Sequence, residues 1–87
     1  MKLKNGFLLR DIAGKSVVVA TGEAAESFRG LIKLNETGAF LWRLLQNETD
    51  EEKLKKALLK EYDIDEERAK EEISSFVARL KEEDLLA

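Results

Sequence analysis

GLIKLNETGAFLW, residues 30–42, changes character in its middle. Gly30 to Leu34 have the alternating pattern of a strand, whereas Phe40, Leu41 and Trp42 belong to a dense apolar helix. Asn35 stands between them as a good N-cap, because its side-chain oxygen can accept from one of the N–H groups that a helix start leaves unpaired. Glu36 follows, where a negative charge favours the positive end of the helix. A strand therefore runs straight into a helix with no loop to spare. If that strand lies at the edge of its sheet, its outward N–H and C=O groups need a cover, and that cover bears on function.

Upstream, Phe7 to Ile12 reads as a first strand, Ala13-Gly14-Lys15 as a turn, and Ser16-Val17-Val18-Val19-Ala20 as a β-branched second strand. The short connection makes the two an antiparallel hairpin. Thr21 to Ser27 is a longer polar connection. Phe28 to Leu34 forms the third strand, with Phe28, Ile32 and Leu34 on one face and Arg29, Leu31 and Lys33 on the other. Downstream, the first helix carries Phe40, Leu41, Trp42, Leu44 and Leu45, apolar nearly all round, and should be the most buried of three. It ends at Asn47-Glu48. Thr49 to Glu52 reads as a capping box with Thr49 as the cap. The second helix sets Leu54, Ala57, Leu58 and Tyr62 on one face. Asp63 or Asp65 caps the third and longest helix, whose stripe is Ala69, Ile73, Phe76, Val77 and Leu80. Leu85 and Leu86 close the chain. The glycines at 6, 14, 22, 30 and 38 punctuate a β half that precedes a glycine-free helical half. The expected fold is α+β, a single domain over residues 1–87. A three-stranded antiparallel sheet is followed by three helices that cover one of its faces (βββααα), as in a winged helix-turn-helix with its sheet moved to the front.

Composition removes much chemistry. The 87 residues include no His and no Cys, so the usual zinc sites, a Ser-His-Asp triad and a thiolate nucleophile are absent. Neighbouring carboxylates such as Glu66-Glu67, Glu71-Glu72 and Glu82-Glu83 diverge by about 100° on a helix and do not converge on a reacting atom. The expectation is a protein without catalytic residues, metal or cofactor. No secretory signal and no membrane-spanning run is present, and a cytoplasmic location is expected. The net charge of −3 conceals a split: residues 1–34 hold six basic and three acidic residues, and residues 35–87 hold nine and fifteen. Residues 65–84 hold four basic and eight acidic residues, the wrong balance for a recognition helix beside phosphates. Nucleic acid is therefore not the expected partner, although a DNA-binding winged helix remains the rival class. Self-association through an open sheet edge, giving a homodimer of structural role, is a second rival.

Residues 30–42 resemble the central motif of the PqqD-like family, small domains also called precursor-peptide recognition elements. The resemblance extends through Thr49-Asp50-Glu51-Glu52-Lys53-Leu54, Glu61-Tyr62-Asp63-Ile64-Asp65, the Ile73-Phe76-Leu80 stripe and the terminal Leu85-Leu86, so it covers essentially the whole chain. It implies a non-catalytic adaptor. Such an adaptor binds the leader segment of a ribosomally made peptide as a strand beside the third strand, in a groove bordered by the third helix. It presents that peptide to a modifying enzyme, often a radical S-adenosylmethionine enzyme. One departure is visible: the family often has Gly just before the final apolar pair, where this chain has Asp84.

The residues expected to meet a peptide are Arg29, Gly30, Leu31, Ile32, Lys33 and Leu34 on the strand, with Arg68, Glu72, Ser75, Phe76 and Arg79 on the third helix. An edge strand offers main-chain pairing, and pockets for alternate side chains supply specificity. Leu31 is the anomaly, an apolar residue on a face that water alone would leave to Arg29 and Lys33. Each also has a plainer reading. Arg29 and Lys33 would protect an edge from aggregation, Leu31 would pack beneath the 21–27 connection, and Trp42 and Phe76 would be core. Arg68, Glu72, Ser75 and Arg79 would form a solvated shoulder.

Overall fold

The hairpin is built on a two-residue turn. Strand β1 (Phe7–Ile12) pairs antiparallel with β2 (Lys15–Ala20) in the register Ile12 opposite Lys15 and Leu8 opposite Val19. Ala13 and Gly14 both have positive φ, 52° and 78°, which matches a tight turn to the right-handed twist of its strands. Lys15 thus belongs to the strand and not to the turn. The computed structural model describes residues 1–27 and 30–87, and the expected placement of Phe28 and Arg29 lies outside the described residues. Within Thr21 to Ser27, expected as a longer polar connection, the chain makes one helical turn, α1 (Ala24–Ser27). Its bonds span three residues, from Ala24 N–H to the Thr21 carbonyl at 3.2 Å and from Ala25 N–H to that of Gly22 at 3.1 Å. A single turn carries too little periodicity to be read from sequence.

Strand β3 (Leu31–Leu34) completes a sheet of order β1-β2-β3, antiparallel throughout. Ile32 is buried and Leu34 half-buried, while Leu31 and Lys33 are exposed, the alternation expected of a strand with one covered face. Helices α2 (Glu36–Leu44), α3 (Glu51–Glu61) and α4 (Glu66–Glu82) follow and lie against that face. Val18 and Ile32 join Leu41, Trp42, Leu45, Leu54, Leu58 and the α4 stripe in one core cluster. All five predicted stripe residues of α4 are buried. Each fully buried large aliphatic side chain contributes about 1.5–3 kcal/mol, so packing carries a domain that has no staples. Phe40 and Tyr62 meet edge to face with ring centroids 5.5 Å apart, tying the end of α3 to α2.

The helix starts follow their caps. Asn35 accepts from Gly38 N–H at 2.8 Å, as expected. For α3 the cap is Asp50 and not Thr49, since the Asp50 carboxylate accepts from Lys53 N–H at 2.8 Å. Thr49 is occupied otherwise: its N–H donates to the Met1 carbonyl at 3.0 Å, which holds its backbone outside the helix. Asp65, the second of two candidates, caps α4 by accepting from Arg68 N–H at 2.8 Å.

The amino-terminal segment carries no local pattern that assigns it a partner, and the fold supplies one. Leu3 is buried and forms a bridge with Leu86, Leu3 N–H donates to the Leu45 carbonyl at 3.0 Å, and Lys4 N–H to that of Leu85 at 2.8 Å. Residues 1–4 thus lie between the end of α2 and the carboxy-terminal residues.

Candidate functional site

The hairpin turn decides which way β3 faces. A two-residue turn makes Ile12 and Lys15 a hydrogen-bonded pair, and antiparallel pairs alternate between bonded and non-bonded. Lys15, Val17 and Val19 therefore bond to β1, which leaves Ser16 and Val18 to bond Leu34 and Ile32 of β3 in the observed register. The N–H and C=O groups of Leu31 and Lys33 then point away from β2, along the free edge. An independent contact agrees: Arg79 Nη1, reaching across from α4, donates to the Lys33 carbonyl at 3.2 Å.

Between this edge, the start of α2 and one flank of α4 lies a cleft of about 300 Å³. The floor is Gly38 and Phe76, one wall is Lys33, Leu34 and Asn35, and the other is Glu72, Ser75 and Arg79. Gly38 matters for its missing side chain. A Cβ there would stand 3.0 Å from Asn35 Oδ1 and 3.6 Å from the Phe76 ring, crowding the α2 cap and filling the cleft floor. Phe76 is buried yet borders the cleft, so one side of its ring is core and its edge is cleft wall.

The polar rim is connected. Glu72 accepts from Arg68 Nε at 3.1 Å. The Thr37 hydroxyl sits 3.3 Å from Glu72 Oε2 and 3.2 Å from Asn35 Oδ1, and donates to one of these at a time. This network fixes the Glu72 carboxylate at the cleft mouth and joins the cap of α2 to the flank of α4. At the other end of the cleft Arg79 supplies the positive charge. The arrangement offers outward main-chain groups, an apolar floor and charges of both signs, which together suit an extended chain with mixed side chains.

Of the residues expected at the site, Lys33, Leu34, Glu72, Ser75, Phe76 and Arg79 converge on this cleft. Arg68 stands one turn away and acts through Glu72. Leu31 is exposed above the edge, so it is not packed beneath the 21–27 connection. Gly30 is exposed, with φ 106°, just before the strand begins. Ile32 turns inward and its side chain belongs to the core. Arg29 lies outside the described residues. Asn35, Thr37 and Gly38 were not expected at the site. The NETG signature that reads as a helix start is also the cleft wall, and Gly38 inside a helix was the available signal.

Among the described residues no group of three His, Cys, Asp or Glu side chains is placed to hold a metal ion, and no helix is long and apolar enough to cross a membrane. Two solved structures share the fold. One, described as TbiB1 in complex with the TbiA(beta) leader peptide, superposes with a TM-score of 0.75 at 21% identity, over 99% of this chain and 94% of that one. The other, a lasso peptide synthetase B1 complexed with the leader peptide, gives 0.72 at 19% identity, over 97% and 93%. No curated protein sequence matches the chain significantly. Residues 15–86 match the family of coenzyme PQQ synthesis protein D, a span that holds β2, β3, every helix and the cleft, and the chain belongs to the PqqD family.

Proposed function

We propose that the protein binds the leader segment of a ribosomally made precursor peptide and presents it to a modifying enzyme, acting as an adaptor without catalysis of its own. The leader adds as a strand beside β3, with alternate side chains entering the cleft between β3 and α4. The observation that carries the reading is the cleft lying directly along the outward edge of β3, with Lys33, Phe76 and Arg79 around it. Similarity of fold to two proteins bound to leader peptides supports the same reading. Backbone pairing supplies affinity with little demand on sequence, and ordering a disordered leader keeps that affinity modest. Holding the leader raises the effective concentration of the attached core at the enzyme, so no chemistry is asked of the adaptor. A radical S-adenosylmethionine enzyme is the partner class that the family suggests.

The test is capture from a lysate of the host by immobilised protein, with bound material identified by intact mass. Leu31→Pro runs in parallel. Proline deletes the outward N–H of Leu31 without breaking the β2 ladder, so the variant should fold with an unchanged circular dichroism spectrum. A short ribosomal peptide recovered with a modifying enzyme, and lost in Leu31→Pro, is the expected result. Recovery of nucleic acid, or of nothing but the protein's own copies, would overturn the reading.

A further inference from the structure

The sheet has a second face, turned away from the helices, and its composition is one-sided. The pairing register places Leu8, Val19 and Leu31 in one row across the three strands, and Arg10, Val17 and Lys33 in the next. Ile12 and Lys15 follow at the hairpin end. The large hydrophobic residues exposed among the described residues are Leu8, Ile12 and Leu31, at 44%, 54% and 52%, and all three belong to this face. Val17 is buried yet lies outside the core cluster, as its place on this side of the sheet requires. Every charge in these rows is positive, and among the described residues Arg10, Lys15 and Lys33 enter no ion pair.

We infer that this outer face docks an acidic amphipathic helix of a partner protein. Three strands spaced at about 4.8 Å make a surface about 10 Å wide, which fits one helix of about 10–12 Å diameter. A helix laid along β2 sets its apolar stripe over Val19, between Leu8 and Leu31. Arg10 and Lys33 flank Val17 on opposite sides in the same row, so carboxylates on both shoulders of that stripe each meet a cation. Cations on both sides of a flat apolar line match a helix better than a bilayer, which calls for protruding apolar side chains within a cationic rim. A second copy of this chain would bring the same positive face and repel. The face shares Lys33 with the β3–α4 cleft but extends from it across β2 to β1, and the inference does not depend on the leader-binding reading.

Two synthetic helical peptides of about 18 residues, or five turns, serve as probes. One carries a Leu stripe flanked by Glu on both sides, and its twin carries Lys in place of Glu. Each is titrated into isotope-labelled protein while amide resonances are followed. The Glu peptide should shift the amides of Leu8, Val17, Val19 and Leu31 saturably and leave Glu72, Ser75 and Phe76 unmoved. The double variant Arg10→Glu with Lys33→Glu should weaken it by at least about tenfold and bind the Lys twin in its place. Should that variant lose its native spectrum, Leu8→Ser with Leu31→Ser supplies the same loss without charge reversal. An equal response to both peptides, shifts confined to the cleft, or no shift would overturn the proposal. So would sheet-face shifts produced by protein concentration alone, or binding of phosphatidylglycerol vesicles in place of the peptide. Leader binding would move the β3 amides together with those of Glu72, Ser75 and Phe76 on α4, whereas docking on this face moves Leu8 and Val17 and leaves α4 still, so the two readings fail separately.

Discussion

Asp84 is the residue at which this chain departs from its family's pattern, and its backbone explains the pattern. Helix α4 ends with Leu85 N–H donating to the Leu80 carbonyl at 2.8 Å and Asp84 N–H to that of Lys81 at 3.1 Å. This is the paired arrangement that closes a helix around one left-handed residue, with Leu80 and Leu85 packed together beneath it. Asp84 holds φ 57°, where Gly carries no Cβ penalty and Asp is tolerated through local hydrogen bonding. Its carboxylate also pairs with Lys4 at 2.8 Å on an exposed surface, a contact worth about 0–1 kcal/mol. Both Asp84→Gly and Asp84→Ala lose that pair, but only Ala keeps a Cβ in the left-handed region. The glycine variant should therefore be the more stable of the two by about 1 kcal/mol, read from urea midpoints at constant slope. Equal midpoints would mean that the helix end relaxes out of this geometry. The departure itself was legible in the sequence. The left-handed conformation that gives it meaning appears only once α4 and residues 85–87 are placed.

At the scale of elements, Lys55 ties α3 to α4 beside their packed core. Its ammonium lies 2.9 Å from Glu66 and 3.4 Å from Glu52, bridging the start of one helix to the first turn of the next. The hydrogen bond to Lys55 holds the Glu66 carboxyl below its ordinary value, and the same bond chiefly raises Lys55. A lowered carboxyl favours the folded state fully above its unfolded pKa and loses that effect as pH falls through the folded value. A raised lysine favours folding below its unfolded pKa and loses the effect as pH rises through the folded one. Lys55→Met should therefore melt below the native protein at pH 7. That gap should close under acid, at roughly pH 3, where the carboxyls protonate. A gap that persists in acid would show that Lys55 acts through its packed stem and not its charge. Element boundaries were legible wherever a cap or stripe was strong, as at Asn35 and along α4. They slipped by one residue at Thr49, because its backbone pairs with Met1, forty-eight positions away in sequence.

Across the whole molecule, the amino-terminal segment closes the helical layer. Leu3 is buried against that layer and shares a backbone bridge with Leu86, while its N–H donates to the Leu45 carbonyl, so one residue joins the end of α2 to the end of the chain. Leu3→Ala should cost about 2–4 kcal/mol, the range for deleting most of a buried leucine, with the slope of urea unfolding unchanged. A loss under about 1 kcal/mol would mean that residues 1–4 are a loose cover and not part of the core. The sequence by itself determined the three strands, the three long helices and the core stripe, because periods of 2 and 3.6 and a few caps are local properties written in neighbouring residues. It also marked the strand-to-helix junction at Asn35 as a place of interest. Tertiary structure alone decided which flank of α4 meets β3, that Gly38 and Asn35 form the cleft with Phe76, and that Leu8, Val19 and Leu31 share one row. Those relations depend on strand register and on helix packing across many intervening residues, and no short window of sequence contains them.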